Sequence, residues 1–188
     1  LQNMNCKIVR IFLFRMTELK VCSSWDSSTH TGVFDFTKFD DLIKKIYGIG
    51  AVPIVCIMNG YNNVNSLYLP TGMITDPKTN LPYPEDFAEY CRILADYYKP
   101  ESTNYPINRW EVMNEPYSYW SWTEDITKVG YMMDVYQYSY VEIHKANPSA
   151  MVSFDASVFK DIANYMLAHG MTVDFVDSHT YGTGAYGT

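Results

Sequence analysis

The stretch Arg109-Trp110-Glu111-Val112-Met113-Asn114-Glu115-Pro116 decides the reading of this chain. Arg109 to Met113 is a short, mostly apolar run of the kind that forms a buried strand. It is followed at once by Asn-Glu-Pro. Side chains alternate along a strand, so Glu111, Met113 and Glu115 share one side, with Trp110, Val112 and Asn114 on the other. Neighbours Asn114 and Glu115 can face one site only if the backbone leaves regular strand geometry. A bulge or kink is expected at Asn114-Glu115.

Similar runs recur on either side. Lys7 to Phe12, Val52 to Met58, Ala150 to Phe154 and Val173 to Asp177 read as four more strands. Between them lie helical patterns. Phe36 to Tyr47 carries Phe36, Phe39, Leu42, Ile43 and Ile46 on one stripe and is stopped by Gly48 and Gly50. Pro84 to Tyr98 opens with Pro84, Glu85 and Asp86, residues suited to a helix amino end, and Pro100 closes it. Thr123 caps a helix running to about Lys145, ended by Asn147-Pro148, and Val158 to Ala168 forms another, ending at Gly170.

Five strands alternating with four helical connections form a repeating β/α pattern. Two architectures fit: an open doubly wound sheet, or a (β/α)8 barrel. No glycine-rich phosphate turn follows any strand. Polar and aromatic residues collect instead after the strand carboxyl ends: Trp25, Asp26 and His30; Asn59 and Tyr61; Asn114 and Glu115; Asp155; His179 and Tyr181. That placement favours the barrel.

Composition narrows the partners. A net charge of −7 and the absence of any basic run argue against nucleic acid. No apolar stretch is long enough to span a membrane, and Leu1-Gln2-Asn3-Met4-Asn5 does not look like a signal peptide. Cys6, Cys22, Cys56 and Cys91 form no C-x-x-C pair, so neither a metal nor a cofactor is expected. Cys56 and Cys91 read as small buried hydrophobes. Aromatic residues reach 16%, including 17 Tyr and 4 Trp, a composition suited to packing against sugar faces.

The decisive stretch resembles the fourth-strand motif of the clan A glycoside hydrolases, the retaining (β/α)8 group, in which an apolar strand ends in Asn-Glu-Pro. Val173-Asp174-Phe175-Val176-Asp177-Ser178-His179-Thr180-Tyr181 resembles their sixth-strand segment. Ile8-Val9-Arg10-Ile11-Phe12 resembles the second strand, whose arginine lies beneath the nucleophile. The look is nearest to family 39 xylosidases, with family 5 cellulases and mannanases next, and it covers essentially the whole chain. The resemblance implies that Glu115 is the general acid/base. It also implies that Asn114, Arg10, His179 and Tyr181 line the substrate site. Glu111 is a candidate partner for Arg10, which as a buried cation must be paired. Trp120 and Trp122, in the aromatic cluster after Glu115, are candidates for stacking on sugar.

The chemistry agrees with the residue types. Glycoside hydrolysis needs a carboxyl group to protonate the leaving oxygen, and an amide can bind the sugar 2-hydroxyl as charge develops. A retaining enzyme also needs a second carboxylate, which the clan places at the end of the seventh strand. The five strands match numbers two to six of a barrel that takes roughly 250 residues. The expectation is a single partial domain over residues 1–188, truncated at both ends, with the nucleophile beyond Thr188. Such a piece would be inactive alone. A non-catalytic carbohydrate-binding barrel is the alternative, and the residue ending the next strand discriminates the two. A Schiff-base barrel enzyme would need a strand-end lysine, and none is convincing.

Overall fold

The computed structural model describes residues 6–13, 19–59, 69–115, 126–155 and 160–177, with only the backbone for 126–128, 155 and 160–163. Its centre is a parallel sheet of β1 (Ile8–Phe12), β4 (Val52–Asn59), β5 (Arg109–Asn114), β6 (Met151–Asp155) and β7 (Phe175–Asp177). Each strand lies beside its predecessor in the order β1-β4-β5-β6-β7. A doubly wound sheet reverses its strand order at a switch point, whereas a barrel adds each strand on the same side. The order never reverses among the described strands. The fold is therefore a partial (β/α) barrel, in keeping with the distribution of polar residues along the sequence.

The register separates two faces. Aligned Phe12, Cys56, Glu111 and Ser153 point to one side, and the neighbouring Ile11, Val55, Trp110, Val152 and Val176 to the other. The second side carries the helices. Tyr98 tilts against Trp110 at 6.5 Å, and Tyr136 meets Phe154 edge-on at 5.1 Å. The first side is the concave, barrel-interior face, and it holds the charged and polar groups.

Helix α1 (Thr37–Gly48) buries Phe39, Ile43 and Ile46, three of the five residues on the expected stripe; Phe36 and Leu42 are partly buried. Gly50 takes φ 75° and returns its amide to the Tyr47 carbonyl at 2.9 Å, which terminates the helix. Helix α2 (Pro84–Tyr97) starts on Pro84 and is tied to α1 by Asp40, which accepts from Tyr97 and Tyr98 hydroxyls at 2.8 and 2.7 Å. Helix α3 (Ile126–Ala146) turns Val129, Met132, Met133, Tyr136 and Ile143 inward, and α4 (Lys160–Ala168) precedes β7. Fully burying one such apolar side chain contributes on the order of 1.5–3 kcal/mol.

Two features differ from expectation. Strand β7 starts at Phe175 and not at Val173, because Asp174 pairs through its side chain: its carboxylate accepts the Val152 amide at 2.7 Å, and also the Tyr140 hydroxyl at 3.0 Å. The second difference is an antiparallel hairpin of β2 (Cys22–Asp26) and β3 (Thr31–Phe34) inserted between β1 and α1. Loop 69–83 packs onto it, with the Trp25 amide on the Thr71 carbonyl at 2.8 Å. Gly72 sits at φ 94°, and a Cβ there would lie 2.3 Å from the Trp25 carbonyl oxygen. Both strain and collision oppose a side chain. Gly72→Ala should therefore cost about 1–3 kcal/mol, read as a lowered urea midpoint, with no effect expected from Gly48→Ala, where the added Cβ meets nothing within 4 Å.

The cysteines are all free; Cys22, Cys56 and Cys91 are buried, and only Cys6 is partly exposed. Burial pushes the Cys22 thiol up to about 11 and the Cys91 thiol up to about 12. A raised folded-state value means the stabilisation is intact below the ordinary thiol range and is lost as pH rises through about 9 toward 12. Stability should thus decline on the alkaline side of pH 9. At pH 8, one thiol per chain should react promptly with Ellman's reagent, and Cys6→Ser should remove that signal. Prompt reaction of three or more thiols would contradict the packing.

Candidate active site at the carboxyl ends of the strands

Strand β5 and the residue after it carry three polar side chains within five residues, Glu111, Asn114 and Glu115. Glu111 lies on the interior face, is 0% exposed and would be a stranded charge without a partner. Arg10 on β1 supplies it, crossing β4 to reach it. Its Nε donates to Glu111 Oε2 at 2.6 Å, and its Nη2 donates to Glu111 Oε1, a two-point guanidinium–carboxylate pair. Burial alone would lower the Arg10 pKa, but the bond to Glu111 and the charges of Glu111 and Asp177 more than offset it, so the net shift is upward. The Phe12 ring lies under the guanidinium at 4.4 Å.

The same Nη2 donates to Asn114 Oδ1 at 2.9 Å. This contact fixes the amide orientation, since arginine can only donate. Asn114 must therefore present its Nδ2 as a donor, and that atom reaches Asn59 Oδ1 at 3.3 Å. Asn59 and Asn114 are register partners at the ends of β4 and β5. Glu111 and Asn114 are three residues apart and would face opposite sides of a regular strand, yet both meet Arg10. Strand geometry ends directly after Asn114, where Glu115 adopts φ 45°, the left-handed region, which is the departure expected at Asn114-Glu115. Glu115 is 7% exposed at this kink, directly beyond Asn114.

Asp177, at the end of β7, contributes to the electrostatics of both Arg10 and Cys56. In a flat sheet β1 and β7 would stand roughly 19 Å apart, four strand spacings. Their mutual influence reflects a sheet curved around its interior face. Cys56, the register partner of Glu111, is held well above the ordinary thiol range by burial, with the Glu111 carboxylate adding to it.

Of the residues singled out from the sequence, Arg10 and Asn114 come together, with Glu111 as the partner of Arg10, and Glu115 follows Asn114 in the chain. Trp120, Trp122, His179 and Tyr181 lie outside the described residues. Asp26 is turned to local use: its carboxylate accepts the Ser28 amide at 2.9 Å and hydroxyl at 2.6 Å, which lowers its pKa. The role of Asn59 as the amide's second anchor is one that sequence reasoning does not assign, although its place at a strand end is the available signal.

No family model and no curated protein sequence matches the chain. Solved structures do. A β-mannanase from the blue mussel Mytilus edulis shares 18% identity at a TM-score of 0.61, over 96% of this chain and 60% of its own. A glucosidase from Croceicoccus marinus shares 12% at 0.59, over 93% and 38%. A β-glucosidase from Thermotoga maritima in complex with deoxynojirimycin shares 16% at 0.52, over 88% and 39%. The chain thus spans between about two fifths and three fifths of the length of these structures. Its fold is part of the (β/α) barrel that these glycosidase structures share.

Proposed function

We propose that the chain is the central part of a retaining β-glycosidase in which Glu115 is the general acid/base. The observation that carries this is the Glu115 kink: a nearly buried carboxyl group in a left-handed backbone conformation, next to an amide aimed by Arg10. Such strain persists only where the surroundings over-determine it, and it clusters at active sites. The glucosidases and mannanases that share the fold support the substrate class, a β-linked oligo- or polysaccharide.

In this reading Glu115 protonates the glycosidic oxygen as the bond breaks, and then takes a proton from the water that completes hydrolysis. Asn114 Nδ2 donates to the sugar 2-hydroxyl, a bond that strengthens as positive charge develops on the ring. Arg10 Nη1 takes no part in the network with Glu111 and Asn114, and we place there the nucleophilic carboxylate, about 5–5.5 Å from Glu115, supplied by sequence beyond Thr188. Trp120, Trp122, His179 and Tyr181 complete the substrate surface. A panel of aryl β-glycosides, tested on the full-length protein and its Glu115→Gln variant, tests the assignment. Hydrolysis by the first and its near loss in the second is expected; no hydrolysis of any β-glycoside would overturn the proposal.

A further inference from the structure

The hairpin β2–β3 builds something that catalysis does not use. Asp86, in the first turn of α2, is 2% exposed and collects three donors from the hairpin. Its Oδ1 accepts Trp25 Nε1 at 2.6 Å and meets His30 Nδ1 at 2.9 Å, and its Oδ2 accepts the Ser27 hydroxyl. Indole nitrogen can only donate, so Oδ1 is an acceptor and the Nδ1 of His30 must carry the proton. That leaves Nε2 as the ring atom available to a ligand. Ser27 is fixed a second time by the Ile74 amide at 3.0 Å. His30 is held at φ 52°, a strained conformation for a non-glycine residue.

These tethers frame a cavity of about 370 Å³ lined by Ser27, His30, Ile74, Tyr83, Glu85 and Asp86. That volume falls in the roughly 300–1,000 Å³ range of small-ligand sites. Ile74 and Tyr83 expose apolar surface there, while Glu85 and His30 stand as polar groups beside it. A flat apolar platform with a few fixed polar groups fits a sugar ring, which has a C–H face and a hydroxyl edge. The hairpin follows β1 and Asp86 opens the helix after β4, so the cavity lies at the strand carboxyl ends, the same end as Glu115.

The geometry points to a second carbohydrate-binding position here: a distal subsite that holds one unit of an oligosaccharide, with Tyr83 as platform and Glu85 and His30 Nε2 meeting its hydroxyls. The assignment of the ligand rests on the glycosidase reading. Asp86 is the positioning residue that keeps the walls assembled before ligand arrives.

The test separates the two. In full-length protein carrying Glu115→Gln, cello- and manno-oligosaccharides of two to six units are titrated by calorimetry. Affinity should rise with chain length for at least one series. Tyr83→Ala and Glu85→Gln should each flatten that rise, weakening the longest oligomer roughly 3- to 30-fold. Tyr138→Ala, an exposed tyrosine on α3 outside the cavity, should not. If Tyr83→Ala melts early, the isosteric Glu85→Gln alone settles the question. Unchanged affinity at every length in the cavity variants, or no binding of either series, overturns the subsite. Length-dependent binding that the variants abolish, in a protein whose wild type hydrolyses nothing, would sustain the subsite and remove the catalytic assignment.

Discussion

Full-length protein with Glu115→Gln is expected to lose about a hundred- to ten-thousand-fold in kcat/KM on oligosaccharides, the usual worth of a positioned proton donor. The loss should depend on the leaving group. A sugar alkoxide must be protonated as it departs, whereas a dinitrophenolate leaves readily on its own, so the same variant should form its glycosyl-enzyme almost normally from a dinitrophenyl glycoside. Steady-state and burst kinetics on the two substrates measure the difference. An equal loss on both would assign Glu115 a role other than proton transfer. The backbone adds an independent signature. Glu115 holds φ 45°, a conformation costing an ordinary residue about 1–2 kcal/mol, whereas glycine adopts it freely. Glu115→Gly should therefore be as inactive as Glu115→Gln and yet melt at a higher temperature than it. A glycine variant that melts above the glutamine one and is equally inactive would show that the position needs the carboxyl group and not the backbone conformation.

Much of this site is legible in the sequence, and the limits follow from the physics. The kink is legible through parity: adjacent Asn114 and Glu115 can face one site only if the backbone leaves strand alternation, and it does so at Glu115. The five parallel strands are legible because each is a short, mostly apolar run between helical periods. Their unreversed order is not, since it depends on which strands pair. The hairpin is hidden because Cys22-Ser23-Ser24-Trp25-Asp26 is poor in β-formers and its pairing shifts register between Cys22 and Ser24. The role of Asp86 is concealed as a consequence. As the second acidic residue of a helix start it has an adequate local explanation, and its actual partners, Trp25, Ser27 and His30, sit on that hairpin. Glu111 lies between these extremes: the sequence offers it as one candidate partner for a buried Arg10, and the structure shows the pair made across β4.

That ion pair yields the largest expected change in stability. Glu111→Leu leaves the Arg10 charge in the interior without its partner, and Arg10→Met does the same to a Glu111 that is 0% exposed. Each single substitution should cost about 3–5 kcal/mol, with Glu111→Leu nearer the lower figure because the Arg10 side chain keeps 27% exposure and can reach water. The double variant removes both charges and should regain most of the loss, so the coupling in a denaturation cycle should reach about 5 kcal/mol or more. Activity should follow a different course. Without the Arg10 donor, Asn114 no longer has its Oδ1 held, so its amide is free to turn and present an acceptor where the sugar needs a donor. The restored double variant should therefore fold well and hydrolyse poorly, with the deficit in kcat because the 2-hydroxyl bond strengthens in the transition state. If stability and turnover recover together, the pair is a structural strut and Asn114 is oriented by Asn59 alone. If stability recovers and turnover does not, the buried charge is retained for the site, to aim the Asn114 amide and seat the proposed nucleophilic carboxylate, at a cost the barrel could have avoided with two apolar residues.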